Sequence, residues 1–217
     1  MGSLFLVRHS ITAASAGGRN LGRGDDPPLA AAGTKVAGEL AATLSAELSE
    51  LPHDSIRLIS SPALRCRQTL EPIARALGLD PASVEIERGL VEIDYGAWDG
   101  LTADECLARD PQLRCAWIAD PYRTQCPGGE SGEQVAERAF GVFDALDAWL
   151  AADRARCAIV VAHNHVNRLR LTALMAWPMR NYRRRLAQDP AGYSLVTFAD
   201  GVADVRRINA TAAARPS

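Results

Sequence analysis

Three short apolar runs, each ending on polar or charged residues, constrain the fold more than any other feature of the chain. Ser3-Leu4-Phe5-Leu6-Val7 leads into Arg8-His9, Ile56-Arg57-Leu58-Ile59 leads into Ser60-Ser61-Pro62, and Cys157-Ala158-Ile159-Val160-Val161-Ala162 leads into His163. Runs of this length that are almost uniformly apolar suit strands buried on both faces, the condition of a parallel sheet. The segments between them suit helices. Val36, Leu40, Leu44, Leu48 and Leu51 fall three or four apart on one face. Ser61 with Pro62 predicts an N-cap and first helical residue, opening a helix that runs to Leu77-Gly78. Thr102 with Glu105 and Ser131 with Gln134 have capping-box spacing, the second ahead of a long amphipathic helix from Val135 to Leu150. Leu169 to Trp177 suits a further helix. Tyr193–Phe198 and Val202–Ile208 suit a hairpin across Asp200-Gly201, and Asn209 to Ser217 a frayed tail.

Strand and helix alternate, so the expected fold is α/β: a three-layer α/β/α sandwich with a mostly parallel central sheet. No repeat or linker interrupts residues 1–217, which implies one domain. The stretch 101–130 has the look of a lid or specificity insertion, centred on 110–125 with Trp117, Tyr122 and Arg123.

Composition removes several function classes. The chain has 217 residues, 47% hydrophobic and 23% charged, with a net charge of −2. No basic footprint for nucleic acid is present, and no apolar run approaches the roughly 20 residues that span a bilayer. With no leader ahead of Arg8-His9, a cytoplasmic protein is expected. Five scattered cysteines without a C-x-x-C pair predict free thiols, with neither a disulfide framework nor a zinc site. Lys35 is the only lysine, so the arginine content carries less meaning than individual positions. The cluster Arg180, Arg183, Arg184, Arg185 suits a solvated helix end or a substrate-side rim.

Ligands of parallel sheets bind beyond the carboxyl ends of the strands. Arg8, His9, Ser61, Arg65 and His163 all fall at such ends. Counted from a Ser61 cap, Arg65 sits in the first turn of its helix, where a cation gains nothing locally and a bound anion would supply the missing partner. Two arginines, two imidazoles and a helix N-terminus complement a compact polyanion, and a phosphoryl group fits best. Neutral imidazole is a competent nucleophile at phosphorus near pH 7, and the arginines would neutralise the non-bridging oxygens.

Further stretches carry a resemblance. Leu6-Val7-Arg8-His9-Ser10-Ile11-Thr12 is similar to an L-V-R-H-G-x-T signature, and Gly22-Arg23-Gly24-Asp25 with Pro28-Leu29 and Gly33 resembles the segment after it. Ser60-Ser61-Pro62-Ala63-Leu64-Arg65-Cys66-Arg67-Gln68-Thr69 follows S-S-P-x-x-R-x-x-Q-T. Leu90-Val91-Glu92 through Gly96-Ala97-Trp98-Asp99-Gly100 resembles L-x-E-x-x-x-G-x-W-E-G, Pro127-Gly128-Gly129-Glu130-Ser131 matches P-G-G-E-S, and Val160-Val161-Ala162-His163 matches V-x-x-H. In this order they resemble branch 1 of the histidine phosphatase superfamily, the phosphoglycerate-mutase-like group. The resemblance implies that His9 is the nucleophile that becomes phosphohistidine, that Arg8, Arg65 and His163 hold the phosphoryl oxygens, and that Glu92 is the general acid and then the base. Ser15 and Asn164 are expected to add phosphate contacts. No metal and no cofactor are expected. The partner would be a small phosphorylated substrate, with a homodimer among the expected assemblies.

Departures from the pattern matter. Ser10 replaces the usual glycine, Ser15 stands where many members have asparagine, and Asn164-His165-Val166-Asn167 replaces a Gly-rich start. His165 either faces the leaving group or fills the helix start. Mutases carry Glu-Arg-His-Tyr-Gly at the acid; Glu92-Ile93-Asp94-Tyr95-Gly96 lacks that cationic handle, which favours net monoester hydrolysis, as in the superfamily's phosphatases, over phosphoryl transfer. Two other readings are a metal-dependent hydrolase using the His163-Asn164-His165 pair and a non-catalytic ligand-binding member of the same fold.

Overall fold

The computed structural model describes residues 1–199 and 202–212. A six-stranded sheet comprises β1 (Gly2–Arg8), β2 (Ile56–Ser60), β3 (Glu85–Ile86), β4 (Cys157–Ala162), β5 (Tyr193–Ala199) and β6 (Val202–Ala210), in the spatial order β3-β2-β4-β1-β5-β6. The first four strands of that order are mutually parallel, whereas β5 pairs antiparallel with β1, and β6 antiparallel with β5. The helices are α1 (Ala13–Ala16), α2 (Ala31–Glu47), α3 (Leu64–Ala76), α4 (Ala103–Arg109), α5 (Pro111–Ala119), α6 (Gly132–Ala151) and α7 (Asn164–Leu174).

The central strands divide their side chains by alternation. Leu4 and Leu6 of β1, with Ala158 and Val160 of β4, pack among residues of α6 and α7. Phe5 and Val7, with Ile159 and Val161, meet Leu40 and Leu44 of α2 and Leu70 and Ile73 of α3. Helices therefore cover both faces, the three-layer arrangement expected. Among the described residues no helix is long and apolar enough to cross a membrane.

Several boundaries differ from those expected. Helix α3 starts at Leu64 with Ala63 as N-cap, so Ser61-Pro62 does not cap it and Arg65 is its second residue. The cap comes from outside the local sequence: the Asp26 carboxylate accepts the Leu64 N–H at 2.8 Å. Helix α7 starts at Asn164, five residues before Leu169, because it springs directly from β4. Within the 110–125 stretch, residues 111–119 form α5 and a turn follows it. Trp117 lies in the core on α5 and packs edge-on against Trp98 with ring centroids 6.0 Å apart, a contact worth about 0.5–1.5 kcal/mol beyond burial. Strand β6 continues through Asn209 and Ala210, so the tail begins later than expected. Asn209 is held there because its side-chain oxygen accepts the Asp189 N–H at 2.6 Å and its amide donates to the Asp189 carboxylate. The turn at Asp200-Gly201 and residues 213–217 lie outside the described residues.

Candidate active site

The register brings the polar strand ends together. Neighbouring strands β2, β4 and β1 end side by side, so that the Ser61 N–H donates to the Val161 carbonyl and the His9 N–H to the Ala162 carbonyl. His9, Ser61 and His163 thus form one row just beyond the sheet. The imidazoles of His9 and His163 meet edge-on with centroids 5.3 Å apart.

His9 is fixed in one tautomer by its own backbone. Its Nδ1 is 2.8 Å from the Ser10 carbonyl, which can only accept, so Nδ1 carries the hydrogen. Nε2 has no hydrogen-bond partner among the described residues and keeps its lone pair. Burial, helped by the Arg65 and Arg8 guanidiniums, pushes the His9 pKa down to about 3, so the ring is neutral across the physiological range. The Ser10 side chain turns away from the site. Its hydroxyl donates to the Gly33 carbonyl at 2.7 Å, and its N–H to the Thr69 hydroxyl at 2.9 Å. Serine in place of the usual glycine thus ties the His9 turn to α2 and α3. The tie demands close approach at Gly33, where a Cβ would come within 2.1 Å of the Ile11 carbonyl oxygen.

His163 is fully buried and also neutral, its pKa lowered by burial and then by Arg65. One ring nitrogen lies 2.8 Å from the Ser61 hydroxyl, and the other lies 3.3 Å from Nη2 of Arg65, which donates to it. Arg65 is buried to 2% exposure and donates further to the Gly22 carbonyl, with Asp26 at 3.5 Å. The anion at the start of α3 is therefore the protein's own Asp26, which supplies the local benefit to Arg65 that a reading from Ser61 missed. Arg8 donates through Nη1 to the Gln188 carbonyl, and its Nε is buried without a partner, as is that of Arg65.

Glu92 faces this cluster from the loop after β3. Its carboxylate accepts the Ile93 N–H at 2.9 Å and the His165 N–H at 3.5 Å. Burial outweighs those bonds and the nearby arginines, and its pKa is raised above the ordinary carboxylate value. The loop is held from behind. Arg138 donates to the carbonyls of Gly89, Val91 and Glu92, Arg23 donates to the carbonyl of Glu92, and both arginines clasp Glu130. Glu130 in turn accepts the Asp94 N–H at 3.1 Å and donates its own N–H to the Asp94 carbonyl at 2.8 Å. The Pro127–Ser131 motif thus acts on the site by positioning the Glu92 loop. Gly96 makes that fit possible. Its φ is +53°, and a Cβ there would lie 2.2 Å from the Pro127 carbonyl oxygen.

A cavity of about 190 Å3 opens above His9, with Arg8, Ser15, Glu92, Tyr95, Asn164 and Arg183 among its walls. A second opening of about 240 Å3 has Arg65, His163 and Glu92 among its walls. Ser15 and Asn164 thus face the cavity with the strand-end residues. The Ser15 hydroxyl is engaged within the capping box of α1, donating to the Thr12 carbonyl, while Asn164 Oδ1 is buried without a partner. His165 does not face the cavity. It is buried between the hydroxyls of Tyr95 at 2.8 Å and Tyr182 at 2.6 Å, which take both ring nitrogens. The His163-Asn164-His165 pair therefore does not converge on a common point. Among the described residues no group of three potential ligands could hold a metal ion.

Sequence reasoning missed Asp26, whose role depends on a contact 38 residues away, and it left Arg183 undecided within an arginine cluster. Of that cluster, Arg183 lines the cavity while Arg184 donates to the Ile118 carbonyl at 2.8 Å.

The family model described as the histidine phosphatase superfamily (branch 1) matches residues 4–211. The chain is 36% identical over 210 residues to the bifunctional protein Rv2228c of Mycobacterium tuberculosis, covering 96% of this chain and 54% of that protein. It is 32% identical over 214 residues to an acid phosphatase of the same organism, covering 98% and 95%. The chain spans about half the length of the first curated relatives it matches. Among solved structures, mycobacterial glucosyl-3-phosphoglycerate phosphatase with VO3 superposes with a TM-score of 0.80 at 25% identity, covering 97% of this chain and 100% of that one. The fold is the phosphoglycerate-mutase-like α/β sandwich. On a family match over nearly its whole length, together with the strand-end histidines and arginines, this chain belongs to branch 1 of the histidine phosphatase superfamily.

Proposed function

We propose that the chain is a phosphomonoesterase acting on a small phosphorylated metabolite through a phosphohistidine at His9, without a metal ion. The observation that carries this reading is the placement on one cavity of two buried titratable groups whose pKa values are shifted in opposite directions. His9 is neutral with Nε2 open, and Glu92, across the same cavity, is biased to hold its proton. In the first step His9 Nε2 forms a bond to phosphorus as the ester P–O bond breaks, and Glu92 gives its proton to the leaving oxygen. Arg8, Arg65 and His163, with Asn164 and Ser15 at the margin, hold the non-bridging oxygens as charge moves onto the leaving group. In the second step the Glu92 carboxylate takes a proton from water, the water oxygen attacks phosphorus, and the P–N bond breaks to free His9 and inorganic phosphate. The names of the relatives, an acid phosphatase and a glucosyl-3-phosphoglycerate phosphatase, support monoester hydrolysis.

Transfer to a second phosphoryl acceptor is the less supported alternative. Ile93 is buried in the core and the Asp94 carboxylate accepts the Gly96 N–H, so neither offers a cation beside the acid. We further propose that the 101–130 segment acts on specificity from behind the cavity, since Trp117 of α5 carries the Arg183 guanidinium that lines it. The test is phosphate release from a panel of phosphomonoesters after exhaustive treatment with EDTA. Turnover should persist in the chelator. Loss of turnover with recovery on adding a divalent ion would overturn the metal-independent mechanism, and interconversion of 2- and 3-phosphoglycerate faster than phosphate release would favour the mutase reading.

A further inference from the structure

The charges around the cavity do not balance once a phosphoryl group has been assigned its partners. Three of the cavity walls are guanidiniums, Arg8, Arg19 and Arg183, and one is a carboxyl, Glu92. Arg19 is matched by Glu105 at 2.9 Å. Arg8 belongs to the phosphoryl cradle, and Glu92 tends to hold its proton. Arg183 is left over. Its guanidinium has no hydrogen bond and no ion pair among the described residues, and its Nε is buried without a partner.

Arg183 is also held rather than waving in solvent. Its guanidinium lies over the ring of Trp117, 4.4 Å from the centroid, and that ring is fully buried on α5. The neighbouring Arg184 ties the same segment to α5 through the Ile118 carbonyl. Beneath it, Arg168 donates to the Arg183 carbonyl at 3.4 Å and has a buried Nε of its own without a partner. The Arg168 guanidinium is crowded enough by burial and by Arg183 and Arg8 that its pKa falls to about 10. A partly desolvated arginine with unmet donors, stacked in place and surrounded by like charge, is costly unless an anion completes it. The position of that anion follows from the cavity. His9 and Glu92 mark where phosphorus and the leaving oxygen sit, and Arg183 lines the same small space, so its partner belongs to the leaving alcohol.

Resting on the phosphomonoesterase reading, we infer that Arg183 determines specificity by binding a second anionic group, a carboxylate or a further phosphate, carried by the leaving alcohol of a small substrate. At about 190 Å3 the cavity falls below the roughly 300–1,000 Å3 of sites for drug-sized ligands, which suits a short-chain acid or bisphosphate.

Three esters of one carbon skeleton test this: glycerol 3-phosphate, 3-phosphoglycerate and glycerol 1,3-bisphosphate, with p-nitrophenyl phosphate as an activity reference. The wild type should show kcat/KM about 10- to 100-fold higher for at least one of the two doubly anionic esters than for glycerol 3-phosphate, the range of one charge-assisted contact. Whichever is preferred identifies the anion as carboxylate or phosphate. Arg183→Gln should bring that ratio to within about threefold, chiefly through KM, and Arg183→Lys should keep part of it. Arg183→Met keeps an apolar stem on Trp117 and should behave as the Gln variant does. A wild-type ratio near one, with glycerol 3-phosphate hydrolysed, would overturn the role of Arg183 and leave the monoesterase reading standing. So would equal losses on all esters in both neutral variants. Failure of the wild type to release phosphate from any of the four would remove the monoesterase reading and this inference with it.

Discussion

Burial acts on His9 and Glu92 in opposite senses, and the chemistry proposed for the site needs both. Loss of solvation disfavours the charged form of each, so it lowers the pKa of the imidazole and raises that of the carboxyl. Both shifts favour the states that the proposed nucleophile and the proposed acid require, a neutral imidazole and a protonated carboxyl. Glu92 should matter in proportion to how badly the leaving oxygen needs a proton. Glu92→Gln is expected to slow alkyl phosphates by 10²- to 10⁴-fold, the usual contribution of a general acid, and p-nitrophenyl phosphate far less. Because the Glu92 pKa is raised, wild-type kcat/KM for an alkyl ester should fall as pH rises through it. That limb should vanish in the Gln variant. Equal losses on both substrates, with the limb retained, would make Glu92 a positioning residue.

Elements, more than single residues, decided what could be read in advance. The ends of β1, β2 and β4 announced themselves, because a buried parallel strand is a continuous apolar run and the first polar residue marks its exit. Arg8, His9 and His163 were legible on that ground alone. Glu92 was not. It sits in a loop without periodicity, held by Arg138, Arg23 and Glu130 from distant parts of the chain, and only its motif context marked it out. The start of α3 was misplaced for the same physical reason. Ser61-Pro62 looks like a local cap, but the Ser61 hydroxyl is engaged by His163 and Asp26 does the capping. The burial of Trp117 was likewise undecidable locally, since the contact that buries it comes from Trp98 and from arginines stacked on its ring.

At the scale of the molecule, the site has a consequence for stability. His9, His163 and His165 are all buried with lowered pKa values. In the unfolded chain each takes up a proton near pH 6.5, so the folded state loses stability as pH falls below that value, down to about 3 in the case of His9. Three such groups give a slope of up to about 4 kcal/mol per pH unit once they are protonated in the unfolded chain. Glu92 works the other way. Its raised pKa costs stability as pH rises above about 4.5, where the unfolded carboxyl ionises first. Denaturant melts between pH 8 and pH 5 should show a steep acid-side fall, and His165→Phe should lower the slope by about one proton. A flat profile between pH 6.5 and 5 would contradict the neutral, buried state of the imidazoles.

That neutral state is also what the proposed covalent intermediate requires, and trapping the intermediate tests the proposal most directly. Acid is avoided in a rapid alkaline quench after mixing enzyme with a labelled phosphomonoester, and peptide mapping then locates the label. The adduct should survive base and be lost in acid, as a P–N bond requires, and should map to the peptide containing His9. His9→Ala should abolish the adduct and turnover together, whereas His163→Ala should slow transfer and still leave label at His9. Label on a serine, on His163, or on no residue during full single-turnover activity would contradict it.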